Sequence, residues 1–299
     1  MSRTVNIISG ADEHLASHRM RCVIPMETLN QYTTFKTKIT KEADEACDIN
    51  IYHKHFNMSK NLSDAVMIND LTKVMFDMCD DWFDRELGEY YEGMCELAHV
   101  ITCNTPNMQS RIYEVTGRLA QICADPITFP FHAPEVTKAA EPSLLWYGHA
   151  LNIFSIVPYF EKLKNLTVIT NTVLNNSKIK AKYWKPGLVE KVIDLYDIVL
   201  IPRIHTPQAK CKSMNRAVDA LHAGRFVIAE SEEVYGELVK YIFIGTIEEG
   251  LEFYRDDPEA AYTMIKNGQN YVLDNYNHKK VCEQWVAAMN YEDYSKYGH

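Results

Sequence analysis

The strongest constraint on this chain is one pattern that appears twice. "TVNIIS" (4–9), "DINIYH" (48–53), "VMFDMC" (74–79) and "VITCN" (100–104) are short apolar runs with strand character. Helix-like segments such as "EYYEGMCELA" (89–98) and "MQSRIYEVTG" (108–117) alternate with them. A stretch carrying Pro126, Pro130, Pro134 and Pro142 follows. Proline removes a backbone donor and fixes φ, so this stretch resists both helix and central strand. The pattern then restarts with "SLLWYG" (143–148), "LTVITN" (166–171), "DIVLIP" (197–202) and "RFVIA" (225–229). Strand–helix alternation of this kind predicts parallel α/β sheets. The expected organisation is an N-terminal α/β unit at 1–123, a proline-rich linker at 124–142 and a second α/β unit at 143–299. The last part, from Glu248 on, reads as a helical tail. A cleft between two such units is a natural ligand site.

Composition narrows the classes. No apolar window approaches a membrane span, and the N-terminus reads as a strand rather than a signal peptide, so a soluble, cytoplasmic protein is expected. None of the eight cysteines forms a CxxC pair, which leaves a zinc site poorly supported and favours reduced thiols acting as small hydrophobes. The net charge of -9 disfavours a protein that coats nucleic acid. A local basic groove could still come from "HKHFNMSK" (53–60) or from Lys178, Lys180, Lys182 and Lys185; otherwise both are solvated faces. GxGxxG, GxxxxGK[ST] and GxSxG are all absent, so a dinucleotide oxidoreductase, a P-loop NTPase and an elbow hydrolase lack their fingerprints.

Four stretches could carry chemistry. In "CKSMNRAVDALHAGRFVIAE" (211–230), Met214, Ala217, Val218 and Leu221 make one apolar helix face. Ser213 stands at an N-cap position and Gly224 at a C-terminal stop. A helix start attracts phosphate, and Lys212 and Arg216 add charge to it. Asn215 and Asp219 lie on the polar side, and Asp219 could accept from a ribose. The alternative is a capped structural helix. In "LLWYGHALN" (144–152), Gly148 and His149 follow a strand, where a ligand crevice opens. His149 is a phosphate or sugar contact or a loop histidine without a role. Arg203 holds the equivalent place after "DIVLIP". In "SGADEHLASHRMR" (9–21), Asp12 and His14 are candidates for proton transfer. In "VMFDMCDDWFD" (74–84), Asp77, Asp80 and Asp81 end a strand, and one of them could serve as a general base; otherwise they cap the next helix, for which Asp80 or Asp81 is suited.

Taken together, these residues resemble a glycosyltransferase of the GT-B type, in which two Rossmann-like domains face each other across a cleft. "KSMNRAVDALHAGRFVIA" resembles the donor segment of that family, and "ASHRMR" resembles its SxRxR stretch. The resemblance implies that the C-terminal domain holds a nucleotide-diphosphate sugar, with Ser213 and Asn215 at the diphosphate and Asp219 at the ribose. Gly148, His149, Arg203, Lys212 and Arg216 would complete the donor site. It implies an acceptor in the N-terminal half, with Arg19, Arg21, Lys54, His55 and Lys60 as groove candidates and Asp80, Asp81, Asp12 or His14 as a base if the reaction inverts. A retaining enzyme would need no base. The family's ExxxxxxxE pattern lacks its first acid here. No cofactor is required; a divalent metal is compatible, although no DxD occurs. Compact relatives include bacteriophage enzymes that glycosylate DNA bases, which suggests double-stranded DNA with 5-hydroxymethylcytosine as one acceptor and the host cytoplasm as the location if the chain is phage-encoded. A cell-envelope or small-molecule acceptor, a nucleotide-sugar epimerase and a non-catalytic nucleotide-binding scaffold are the rivals. Oligomeric state is not legible.

Overall fold

The computed structural model describes residues 2–11, 15–54, 57–137, 141–204, 206–231 and 234–292. It contains two parallel six-stranded sheets in two compact units. The first unit comprises Met1–Pro126, Pro207–Ser213 and Tyr276–His299; the second comprises Ile127–Thr206 and Met214–Asn275.

The first sheet is built from β1 (Thr4–Ile8), β2 (Lys36–Thr40), β3 (Ile49–His53), β4 (Lys73–Met78), β5 (Val100–Cys103) and β6 (Gln121–Ile122), in the order β2-β1-β3-β4-β5-β6. Its helices are α1 (Ala16–His18), α2 (Ile24–Tyr32), α3 (Met58–Ile68), α4 (Gly88–Leu97) and α5 (Pro106–Thr116), with a π-helical turn at Arg19–Val23. Side chains alternate across the pleat. Val5, Ile7, Ile49 and Ile51 therefore face one apolar layer, while Ile8, Tyr52, Phe76 and Met78 face the other. Both faces are covered, which is why these strands read as continuous apolar runs.

The second sheet is built from β7 (Leu144–Tyr147), β8 (Leu166–Thr170), β9 (Lys180–Tyr183), β10 (Ile198–Ile201), β11 (Phe226–Ala229) and β12 (Phe243–Ile244), in the order β12-β11-β10-β7-β8-β9. The helices that follow are α6 (Leu188–Val192), α7 (Asn215–His222), α8 (Ile247–Asp256), α9 (Pro258–Asn275) and α10 (His278–Asn290).

Two boundaries differ from the sequence expectation. The helical tail does not stay with the second unit: α10 places Val281, Cys282, Trp285, Ala288 and Met289 in the apolar layer against β1 and β3. Lys73 Nζ, entering β4, donates to the Met289 carbonyl at 3.0 Å and the Tyr291 carbonyl at 2.5 Å. A lysine at those C-terminal carbonyls satisfies acceptors the helix leaves open. The linker is likewise divided: its residues up to Pro126 belong to the first unit and those from Ile127 to the second.

All eight cysteines are buried and unpaired. Burial raises their thiols, pushing Cys22, Cys95, Cys103 and Cys211 up to about 12. Among the described residues, no helix is long and apolar enough to cross a membrane.

Candidate functional site

In the second sheet the chain runs outward through β7, β8 and β9 on one side and β10, β11 and β12 on the other. The order therefore reverses between β7 and β10. In open α/β sheets, ligands bind outside the strand C-termini at such a reversal. Here β7 ends at Tyr147 and passes into Gly148 and His149, and β10 ends at Ile201 ahead of Pro202 and Arg203.

Arg216, in the first turn of α7, reaches this edge. Its Nη1 lies 3.5 Å from the Tyr147 carbonyl, and the Tyr147 hydroxyl donates to the Arg216 carbonyl at 3.3 Å. A Cβ on Gly148 would lie 3.8 Å from the same guanidinium nitrogen and 3.1 Å from the Trp146 ring. The absence of a side chain at Gly148 thus leaves backbone and guanidinium open to one small volume. His149 is exposed, and its Nδ1 accepts from Leu151 N at 3.2 Å. In the neutral ring the proton then sits on Nε2, so His149 presents a donor. Ala150 N donates to Asn171 Oδ1 at 2.7 Å, fixing the turn to the end of β8. Arg203 is also exposed; its backbone N–H donates to Glu230 Oε2 at 3.1 Å, at the end of β11. The Tyr159 hydroxyl donates to the other Glu230 oxygen, and burial together with that carboxylate raises the phenol well above its usual pKa. Gly148, His149, Arg203 and Arg216 therefore occupy one strand edge.

The rest of the 211–230 segment divides. Helix α7 begins at Asn215 with Met214 at the cap and no side-chain cap bond, so Ser213 is not the N-cap. Lys212 and Ser213 belong to the segment that packs in the first unit. There Asn107 donates to the Lys210 carbonyl at 2.9 Å and Arg85 to Gln208 Oε1 at 3.1 Å.

Asp219 is 1% exposed. Its Oδ1 accepts from Thr128 N at 2.7 Å and Phe129 N at 3.3 Å, and its Oδ2 accepts from the Thr128 hydroxyl at 2.9 Å. The ribose role expected for it is replaced by a structural one: the carboxylate supplies acceptors to a proline-rich strap that has no helix or sheet partner. His222 Nδ1 meets the Phe129 carbonyl at 2.8 Å, Gln269 donates to the His132 carbonyl at 2.8 Å, and Arg225 donates to the Ala133 carbonyl at 3.2 Å. Gly224 does end the helix, at φ 68°, with Arg225 N donating to the Ala220 carbonyl at 2.9 Å in a Schellman closure.

The first sheet reverses its order between β1 and β3. Arg21 is fully buried near that edge and cannot contact an acceptor from there. Its guanidinium forms a two-point pair with Asp77, at 3.1 Å and 2.5 Å, donates to the Cys123 carbonyl, pairs with Asp125 at 3.2 Å and covers the Trp285 ring at 5.0 Å. Burial opposes its charge, yet Asp77 and Asp125 outweigh that and hold its pKa above the ordinary arginine value. Asp77 also accepts from Thr102 at 2.8 Å and meets His53 Nδ1 at 2.9 Å. Burial would raise the Asp77 carboxyl, but Arg21 and His53 prevail and depress it strongly. His53, at the end of β3, is buried; desolvation lowers its pKa, and among the described residues its Nε2 has no hydrogen-bond partner.

Two of the candidate bases, Asp80 and Asp81, separate by accessibility. Asp81 accepts from Phe83 N at 3.2 Å and pairs with Arg111 at 3.2 Å, with its side chain almost fully covered. It is a turn anchor. Asp80 is about one-third exposed and pairs with Lys54 at 2.6 Å. Lys54 has a left-handed φ of 56°, and although burial works against its charge, Cys79 and Asp80 raise its pKa. Lys60 pairs with Asp64 at 3.2 Å. Lys54 and Lys60 are thus held by carboxylates of their own unit and do not make an open basic groove. Arg19 lies partly exposed in the π-helical turn. Asp12, His14 and His55 lie outside the described residues. Among the described residues, no group of three His, Cys, Asp or Glu side chains is placed to hold a metal.

The sequence pattern does not single out His53 or Asp125, and offers Asp77 only as one of three strand-end acids. A charged residue inside the apolar run "VMFDMC" was the available signal, because a buried acid needs partners.

No protein-family model matches the chain, and no curated protein matches it in sequence. Solved structures do. One is an alpha-glucosyltransferase in complex with UDP-glucose and DNA containing an abasic site: TM-score 0.65, 9% identity, covering 97% of this chain and 99% of that one. Another, described as trehalose-6-phosphate from E. coli bound with UDP-2-fluoro glucose, has a TM-score of 0.60 at 8% identity, covering 96% and 99%. An alpha,alpha-trehalose-phosphate synthase (UDP-forming) from Burkholderia vietnamiensis has a TM-score of 0.58 at 10% identity and covers 97% of both chains. The chain has the GT-B fold: two Rossmann-like units, each with a parallel sheet.

Proposed function

We propose that the chain is a glycosyltransferase that takes its sugar from a uridine-diphosphate donor, bound at the C-terminal edge of the second sheet. The observation that carries this is the Arg216 guanidinium lying over side-chain-less Gly148 at the reversal between β7 and β10. Arg216 and Arg203 supply positive charge to the diphosphate, and the first N–H groups of α7 and the Nε2–H of His149 supply donors. Charge develops on the departing diphosphate as the glycosidic bond to it breaks. Fixed cations and N–H groups there lower the barrier without having to reorganise. The solved structures with the same fold that hold UDP-glucose or a UDP-sugar analogue support the choice of uridine nucleotide.

On the acceptor side, Asp80 is the carboxylate that substrate can reach, with Lys54 holding it in place. It takes the acceptor proton if the reaction inverts, and it positions the hydroxyl if it retains. A hydroxymethylated DNA base is a second-level proposal, supported by the alpha-glucosyltransferase likeness and requiring the base to be extruded.

The test is UDP-glucose turnover with and without acceptors, including a duplex containing 5-hydroxymethylcytosine. UDP release that depends on an acceptor, and that Arg216→Ala lowers by about a hundredfold, is the expected result. Isomerised sugar nucleotide would replace the reading with an epimerase. Nucleotide binding without turnover on any acceptor would replace it with a scaffold.

A further inference from the structure

Residues 143–192 carry seven lysines against two glutamates, in a chain of net charge -9. Three of those lysines are paired: Lys162 with Glu248 at 3.6 Å, Lys164 with Glu141 at 2.7 Å, and Lys178 with Glu161. Among the described residues, Lys180, Lys182 and Lys185 have no carboxylate in ion-pair range; Lys182 Nζ meets only the Tyr196 hydroxyl, at 3.5 Å. Lys180 and Lys182 lie on β9, the outer strand of the sheet, whose four residues are all exposed. Lysine on an edge strand discourages pairing with another strand, but that does not explain what lies next to it.

Beyond β7 the chain makes two 3-10 turns, Ala150–Ser155 and Val157–Tyr159. Side chains three apart eclipse in such turns. Leu151 and Phe154 therefore share one row in the first turn, Val157 opens the second, and the three are 78%, 50% and 46% exposed. Val173, beyond β8, is 74% exposed. Two hydrogen bonds join these places. Ala150 N donates to Asn171 Oδ1 at 2.7 Å, and Trp184 N donates to the Thr170 carbonyl at 2.8 Å. The rim of the sheet on this side thus carries an apolar set after the ends of β7 and β8 and, along the outer strand, unpaired lysines that run from Lys180 at the start of β9, opposite Thr167, to Lys185 just past its end.

We propose that this rim rests on an anionic lipid surface. Exposed aliphatic side chains gain by leaving water, and lysines beside them are drawn to acidic headgroups while their stems cover apolar surface. A polynucleotide would neutralise the lysines but leave Leu151, Val157 and Val173 in water, so the lipid surface is the partner that satisfies both halves of the rim. This inference does not depend on glycosyl transfer. It adds to that reading a place where the protein works.

Co-sedimentation of the full chain with vesicles tests it, using phosphatidylcholine alone and phosphatidylcholine with about one-third phosphatidylglycerol. Binding to the acidic vesicles only, weakening as salt rises, is expected. Changing Lys180, Lys182 and Lys185 together to Gln should weaken it by roughly a hundredfold, since each lysine near such a surface contributes about fivefold. Phe154→Ser with Val173→Ser keeps the charge and should weaken binding by about tenfold. These positions are exposed, so circular dichroism should show folded variants. No partitioning of the wild type would overturn the proposal. So would serine variants that bind as the wild type does. Loss on lysine substitution alone, with tighter binding to a DNA duplex than to vesicles, would reassign the rim to nucleic acid.

Discussion

At the scale of single residues, Asp219 and His53 carry the sharpest tests. Both Asp219 oxygens are committed to Thr128 and Phe129. Asp219→Ala would leave two backbone donors and a hydroxyl unsatisfied, at a cost of about 3 kcal/mol. Urea denaturation should report that loss, while affinity for UDP stays within about twofold of wild type because the carboxylate faces the strap. His53 predicts a pH response. Its folded pKa lies below the ordinary value of 6.5, chiefly through burial. The unfolded chain therefore takes up a proton that the folded chain refuses. Stability is fully present above about pH 6.5 and falls as pH drops through and below that value. Asp77, depressed as well, adds a further loss at lower pH, as its carboxyl is forced to protonate. Thermal melts at about pH 7.5 and about pH 5.5 should show the first drop, and His53→Gln should flatten it. The sequence shows that an acid sits one turn into α7. Whether it meets a ribose or a strap 91 residues earlier depends on the path of the linker, which leaves no local trace.

At the scale of elements, the strands read from sequence are β1, β3, β4 and β5 in the first sheet and β7, β8, β10 and β11 in the second. Those that escaped, β2, β6, β9 and β12, are the outer strands of the two sheets. The reason is physical. A central strand buried on both faces is largely apolar, whereas an edge strand is short or polar, as in "KTKIT" and "KAKY". The place of α10 was hidden for a different reason. Its apolar stripe says that it packs, but not on which sheet. That packing yields a test: Trp285→Ala should cost the first unit about 3–5 kcal/mol, read as a lowered unfolding midpoint. Gly224→Ala tests the strap. The added Cβ would sit 2.6 Å from the His132 carbonyl oxygen at a φ of 68°, so the second unit should lose more than the ordinary cost of a left-handed alanine, about 1 kcal/mol.

At the scale of the whole molecule, strand–helix alternation broken by prolines was enough to indicate two Rossmann-like units. The GT-B resemblance agrees with the solved structures of like fold. The placement of the expected residues was legible in part. Gly148, His149, Arg203 and Arg216 stand on one strand edge, because position after a parallel strand is itself a structural statement. Lys212 and Ser213 pack in the first unit, since chain proximity does not decide where a residue packs, and Asp219 faces the strap at Thr128 and Phe129. Fold alone does not fix chemistry, so the central claim rests on the donor edge. Isothermal titration of UDP into the wild type and Arg216→Ala tests it most directly. One bound UDP per chain, weakened at least tenfold by the substitution, is the predicted result. Absence of UDP binding, or equal affinity in the two proteins, would contradict the assignment of that edge to the donor diphosphate.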